Sequence, residues 1–144
     1  MNPTQQPIST SKAPAALGPY SQGTLVPGLG LVFTSGQLGI DPATGQLVAG
    51  GVEAEFRQVL SNLRAILEAA GSGFDRVVRS TLYLTDLADF GTVNALYGEQ
   101  IGSPPPARST VGVASLPKGA RVEMDIVATS SRKGLPEGLG QPAH

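Results

Sequence analysis

At 144 residues the chain is one domain, long enough to bury about two-thirds of the surface that its unfolded state exposes. Apolar residues make up 40% and charged residues 15%, with a net charge of −1, which is sparse for a soluble monomer and leaves no basic field for a nucleic-acid backbone. An oligomer is therefore expected, and nucleic acid is not. The chain has no cysteine, and its one histidine is His144, so disulfides, thiolate nucleophiles, cysteine–zinc sites, a Ser-His-Asp triad and a histidine metal cluster are excluded. Any catalysis has to use arginine, carboxylates, tyrosine, hydroxyls, backbone groups and water.

Residues 1–12 are polar, with room for a short edge strand near Ile8. They lack the apolar core of a secretory signal, so a cytoplasmic protein is expected. Residues 13–40 carry no charge, but Pro14, Pro19, Pro27 and several glycines forbid a spanning helix, and no membrane is expected as a partner. Gly18-Pro19 marks a turn with Tyr20 just beyond it. That tyrosine reads either as a packing residue with a hydrogen-bonded tip or as a ligand-facing group. Gln22 to Val26 and Leu31 to Ser35 read as strands joined by the turn Pro27-Gly28-Leu29-Gly30. Their glycines miss the dinucleotide-binding spacing. Ser35-Gly36-Gln37 ends the second strand with a residue that lets the backbone approach something closely.

Gly51 to Ala70 is the clearest element. Phe56, Val59, Leu60, Leu63, Ile66, Leu67 and Ala70 recur at helical spacing, with Glu53, Glu55, Arg57, Arg64 and Glu68 on the other, solvated face and Gly71 as terminator. Asp75 to Thr85 is a strand, with Val78, Ser80, Leu82 and Leu84 on one side and Val77, Arg79, Thr81 and Tyr83 on the other. The second side is amphipathic and suits a subunit contact. Asp86 can cap a helical stretch from Leu87 to Gln100, interrupted at Gly91 and fraying at Gly98.

Pro104 to Val113 follows as a strand whose approach is held extended by three prolines. Arg108, Thr110 and Gly112 share one side of it, and Ser109, Val111 and Val113 the other. Arg108 is either a surface arginine at a strand end or a carboxylate anchor, since its planar fork grips a carboxylate by two parallel bonds. The last strand, Arg121 to Ala128, sends Val122, Met124 and Ile126 one way and Glu123 and Asp125 the other, toward solvent or toward a site. The order β-β-α-β-α-β-β predicts a single α+β domain over 1–131, with two helices on one face of a mixed sheet, and a flexible Gly/Pro-rich tail over 132–144.

Five stretches of this chain resemble the RidA (YjgF) family: Ala-Leu-Gly-Pro-Tyr-Ser-Gln-Gly at 16–23, Thr-Ser-Gly-Gln at 34–37, Asp-Leu-Ala-Asp-Phe-Gly-Thr-Val-Asn at 86–94, Pro-Ala-Arg-Ser-Thr-Val at 106–111 and Arg-Val-Glu-Met-Asp-Ile-Val-Ala at 121–128. Each is weak alone; five in order across residues 9–131 are specific. The resemblance implies a chorismate-mutase-like fold and a homotrimer with a ligand cleft between adjacent subunits. It also implies hydrolysis of 2-iminobutanoate- and 2-iminopropanoate-type imines, which form from enamines released by PLP-dependent dehydratases, to 2-keto acids and ammonia. By the same resemblance the cleft residues are Tyr20, Ser35, Gly36, Asn94, Arg108, Thr110 and Glu123. Arg108 would clamp the carboxylate, Glu123 would orient or deprotonate water, and Tyr20, Ser35 and Gly36 would shape and polarise the pocket. No metal or organic cofactor is implied. Thr110 departs from the cysteine frequent in the family, and the chain between Tyr97 and Pro104 is shorter than in some relatives. An endoribonuclease or translation inhibitor, and a non-catalytic small-molecule-binding trimer, are the alternatives.

Overall fold

The computed structural model describes residues 4–132. Six strands form where apolar residues alternate: β1 (Gln6–Ile8), β2 (Gly23–Val26), β3 (Leu31–Thr34), β4 (Val77–Leu84), β5 (Ala107–Gly112) and β6 (Val122–Thr129). Two helices, α1 (Gly51–Ala69) and α2 (Phe90–Gln100), carry the longer-period stretches. The sheet order is β1-β2-β3-β6-β4-β5, antiparallel throughout except for the parallel pair β4–β5. A parallel pair needs a crossover, and α2 supplies it. This is the expected mixed-sheet α+β layer, and the edge strand expected near Ile8 is β1, which precedes the predicted run.

The core lies between the helices and one face of the sheet. Phe56, Val59, Leu63, Ile66 and Leu67 of α1 meet Leu25, Val32, Leu82, Leu84, Met124 and Ile126 from the strands. Strand β6 shows the alternation most clearly: Val122, Met124, Ile126 and Ala128 are buried, whereas Glu123, Asp125, Val127 and Thr129 face the side that bears no helix. Helix α1 ends as Gly71 predicts. Gly71 has φ +71°, its N–H bonds the Glu68 carbonyl at 3.1 Å, and the Ser72 N–H bonds the Leu67 carbonyl at 2.8 Å. This pairing satisfies carbonyls that the last turn would leave open.

Four expectations change. The β4–β6 register slips between Val77 and Arg79, so Val77 packs on the core and Val78 is 47% exposed, the reverse of strict alternation. Glu55 is 4% exposed rather than solvated, because its stem crosses the edge of the apolar stripe and Oε1 accepts the Arg121 N–H at 2.8 Å. Residues 74–76 form a 3₁₀ turn ahead of β4 instead of its first residues. The stretch 87–100 divides into a 3₁₀ turn at Leu87–Asp89, capped by Asp86 Oδ1 on the Ala88 N–H at 2.9 Å, and α2, which runs unbroken through Gly91 and Gly98. Of the tail expected over 132–144, only Arg132 falls within the described residues. It donates to the Ala69 carbonyl at 2.9 Å.

Candidate functional site

Tyr20, Ser35, Gly36 and Glu123 gather where β3 ends against β6. Beyond Thr34 the chain leaves β2 and pairs again with β6, Gln37 and Met124 exchanging backbone bonds of 2.9 and 3.2 Å. This brings Gly36 against Glu123: a methyl group on Gly36 would stand 2.8 Å from Glu123 Cδ. Ser35 Oγ donates to the Ser21 carbonyl at 2.6 Å and Ser35 N–H to the Gln22 carbonyl at 2.9 Å, tying this turn to the segment that carries Tyr20. Tyr20 is 53% exposed, and its hydroxyl accepts the Leu17 N–H at 3.3 Å. Gln22, 5% exposed, braces the same segment from behind; its Oε1 accepts the Thr10 N–H at 2.7 Å and its Nε2 donates to the Pro14 carbonyl at 2.8 Å.

Glu123 is half-buried and has no hydrogen-bond or ion-pair partner among the described residues. Burial first, and then the charge of Asp125 two positions along the same strand face, raise its carboxyl above the ordinary carboxylate range. Tyr83 lies directly opposite Glu123 in the β4–β6 ladder but donates its hydroxyl to Asp125 Oδ2 at 2.9 Å. Its phenol is pushed up by burial, by that bond and by the two carboxylates.

Arg108, Thr110 and Asn94 form a second group. In the parallel ladder Ser80 pairs with Arg108 and Leu82 with Thr110. Because Leu82 is buried in the core, Arg108 and Thr110 point to the helix side of the sheet. There the Arg108 guanidinium carbon stands 4.7 Å from the centroid of the Tyr97 ring and 5.5 Å from that of Phe90. Phe90, Asn94 and Tyr97 follow one another at helical spacing on α2, so the exposed Asn94 lies on the flank facing Arg108.

The structure therefore brings four candidates together on one side and three on the other. Glu123 and Arg108 occupy opposite faces of one sheet. A cavity of about 180 Å³ is lined by Tyr20, Gly36, Gln37 and Leu38, and one of about 530 Å³ lies between β1 and the segment of Tyr20. Neither reaches Arg108 or Glu123. Among the described residues no three His, Cys, Asp or Glu side chains gather as metal ligands. Sequence reasoning passed over Phe90, Tyr97, Ser80 and Gln22. The first two were visible only as apolar residues seven apart across Asn94.

The fold is that of a single-domain α+β protein whose candidate residues fall into two groups, one on each face of the sheet. The family model described as Endoribonuclease L-PSP matches residues 10–130, and the chain belongs to that family, the RidA family. It is 54% identical to the 2-iminobutanoate/2-iminopropanoate deaminase of Bos taurus over 84% of this chain and 87% of that protein. The human protein of the same name is 51% identical over the same shares. The crystal structure of RidA from an Antarctic Psychrobacter superposes with a TM-score of 0.82 at 45% identity, covering 86% of this chain and 98% of that one.

Proposed function

We propose that this protein hydrolyses reactive 2-imino acids to 2-keto acids and ammonia, in the cytoplasm, at a site closed between two copies of the chain in a homotrimer. One observation carries the reading: a half-buried guanidinium without a carboxylate and a half-buried carboxylate without a cation lie on opposite faces of one sheet. Each lacks the partner that a neighbouring copy and an anionic substrate would supply. Close relatives named for this activity support it.

Arg108 of one copy would take the substrate carboxylate in bidentate fashion and so fix the imine carbon. Glu123 of the next copy would accept a proton as water adds to that carbon. The proton then goes to nitrogen, and the carbinolamine collapses to ketone and ammonia. A carboxyl raised toward neutral pH suits both halves of this shuttle. Ser35, Gly36 and Tyr20 would wall the water side, and Asn94 and Thr110 the substrate side. The reaction as written consumes only water.

The word endoribonuclease in the family description would call for a cationic groove. The helix-free face instead brings Glu123 and Asp125, with Arg79 as cation among the strand residues. A dehydratase, serine and this protein are combined, and keto-acid release is followed against a control without it. Faster release is expected; an unchanged rate would leave a binding protein, and cleavage of added RNA would favour the nuclease. Light scattering should return about three times the 14.7 kDa chain. The implied interfaces bury at least ~1,000 Å² each, and a monomer at micromolar concentration would remove the shared site.

A further inference from the structure

Arg108 has no acidic residue within ion-pair distance among the described residues, and what holds it is aromatic. Support of this kind has a chemical consequence. A carboxylate beneath the guanidinium would occupy its N–H donors and compete with an incoming carboxylate. A ring attracts the cation through its π-face and leaves the donor edge free.

The principal ring is itself fixed. Tyr97 is 5% exposed, and its hydroxyl shares a 2.7 Å hydrogen bond with Ser80 Oγ, which is 1% exposed. Ser80 is also the residue paired with Arg108 across the β4–β5 ladder. Strand β4 thus aims the ring, α2 carries it, and β5 lays the arginine over it. The serine hydroxyl gives the buried phenol its partner, without which the ring would lose a reason to stay. Phe90, on the first turn of α2, places a second ring centroid 5.5 Å from the same guanidinium carbon.

We propose that Ser80, Tyr97 and Phe90 are positioning residues for Arg108, holding its guanidinium ready while leaving its donors unspent, and that they thereby make the site choose ligands by a planar carboxylate. The inference rests on reading Arg108 as the carboxylate anchor. Rings that served only packing would affect folding but not the discrimination between a charged and an uncharged ligand.

The test uses the full chain, with pyruvate and its uncharged amide as probes, their binding measured by calorimetry and competition. Tyr97→Leu is expected to weaken pyruvate roughly 5- to 30-fold while moving the amide by less than about twofold. Tyr97→Phe keeps the ring but gives up the Ser80 bond that aims it, so it should lose pyruvate affinity by less than the leucine variant, roughly 2- to 5-fold. Phe90→Leu, at a half-buried position, should weaken pyruvate selectively as well, and it decides the matter if Tyr97→Leu does not fold. Wild-type pyruvate affinity in the leucine variants would overturn the proposal. So would equal weakening of pyruvate and amide, or a loss that Tyr97→Phe shares in full. Arg108→Ala separates the layers: if it binds pyruvate normally the anchor reading fails, and if it alone loses binding only the aromatic support fails.

Discussion

Gly36 is the position where one methyl group should separate activity from stability. Its backbone is outside the left-handed region, so alanine introduces no φ strain. The obstacle is Glu123: a Cβ at position 36 would lie 2.8 Å from its Cδ and 3.1 Å from its Cγ. Carbon atoms settle ~3.5–4.0 Å apart, so the carboxyl group must retreat by about 0.7 Å or more. The three nearest atoms all belong to that one flexible side chain, which can give way without a backbone shift. Replacing glycine by alanine in an allowed conformation gains ~0.4–1 kcal/mol. Pushing Glu123 off its rotamer costs ~0.5–1.5 kcal/mol, so the two nearly cancel. A misplacement of about 1 Å in a reacting group can cost ~10²-fold in rate, and Gly36→Ala should lose roughly 10- to 100-fold. The assay is keto-acid release from freshly generated 2-aminoacrylate beside a thermal melt, with Tm expected within about 4 °C of the parent. Wild-type turnover would show that the seat of Glu123 does not matter to the chemistry. A collapse in Tm would show that the crowding is not confined to that side chain.

Arg108→Ala should be nearly inactive and Arg108→Lys severely impaired, with both folded, since an ammonium lacks the planar fork; losing one charge-assisted contact costs ~1.5–3 kcal/mol, roughly 10- to 150-fold in kcat/KM. Wild-type kinetics in Arg108→Ala would return Arg108 to the surface-arginine reading. Glu123→Gln should lose ~10²- to 10⁴-fold in turnover. Its stability has a sign as well. The folded-state value of Glu123 is raised, so its contribution is fully present below the ordinary carboxylate pKa and lost as pH rises through the raised one. The glutamine variant should therefore melt higher than the parent at pH 7 but not at pH 4, and a lower Tm at pH 7 would contradict the burial argument.

Helix α1 and strand β6 were legible because each shows one face to the core along its whole length, so periodicity alone decides them. Val78 was not, since a bulge is a property of two strands and the alternation of β4 alone is silent about where β6 slips. Glu55 was misread for a related reason: helical spacing gives a direction, but not the reach of a long side chain toward the start of β6. At the site, the motifs pointed to seven residues of one cleft; a single chain brings Tyr20, Ser35, Gly36 and Glu123 together and leaves Asn94, Arg108 and Thr110 on the other face of the sheet. The alternation of β5 separated Arg108 from Ser109 correctly. Which of its faces looks at the helices depends on the parallel register Ser80–Arg108, which only the assembled sheet contains. The aromatic support under Arg108 was hidden by the same gap, because Phe90 and Tyr97 read as ordinary apolar positions until the arginine is laid over them.

The two faces also make the proposed shared site testable without a structure of the assembly. Edge strand β5 carries Arg108, and the open face of the sheet carries Glu123. A contact that sets the edge of one copy on the face of the next is heterologous, and in the proposed trimer it would close as a ring with one site per junction. Arg108→Ala and Glu123→Gln each disable every site when present alone. Co-expressed in equal amounts, they should mix at random, and a junction is whole when the copy lending its face retains Glu123 and the copy lending its edge retains Arg108. In a three-membered ring that holds both variants this is true of one junction in three, so about a third of parental turnover should return. Sites contained within single chains would predict none, because no chain in the mixture has both residues. Co-expressed preparations, purified through separate tags on the two variants so that only mixed rings are retained, would be assayed for keto-acid release. Turnover no higher than that of the separate variants, in rings shown by mass to be mixed, would refute the site between copies. Recovery would place Arg108 and Glu123 in the same reaction although one chain holds them on opposite sides of its sheet.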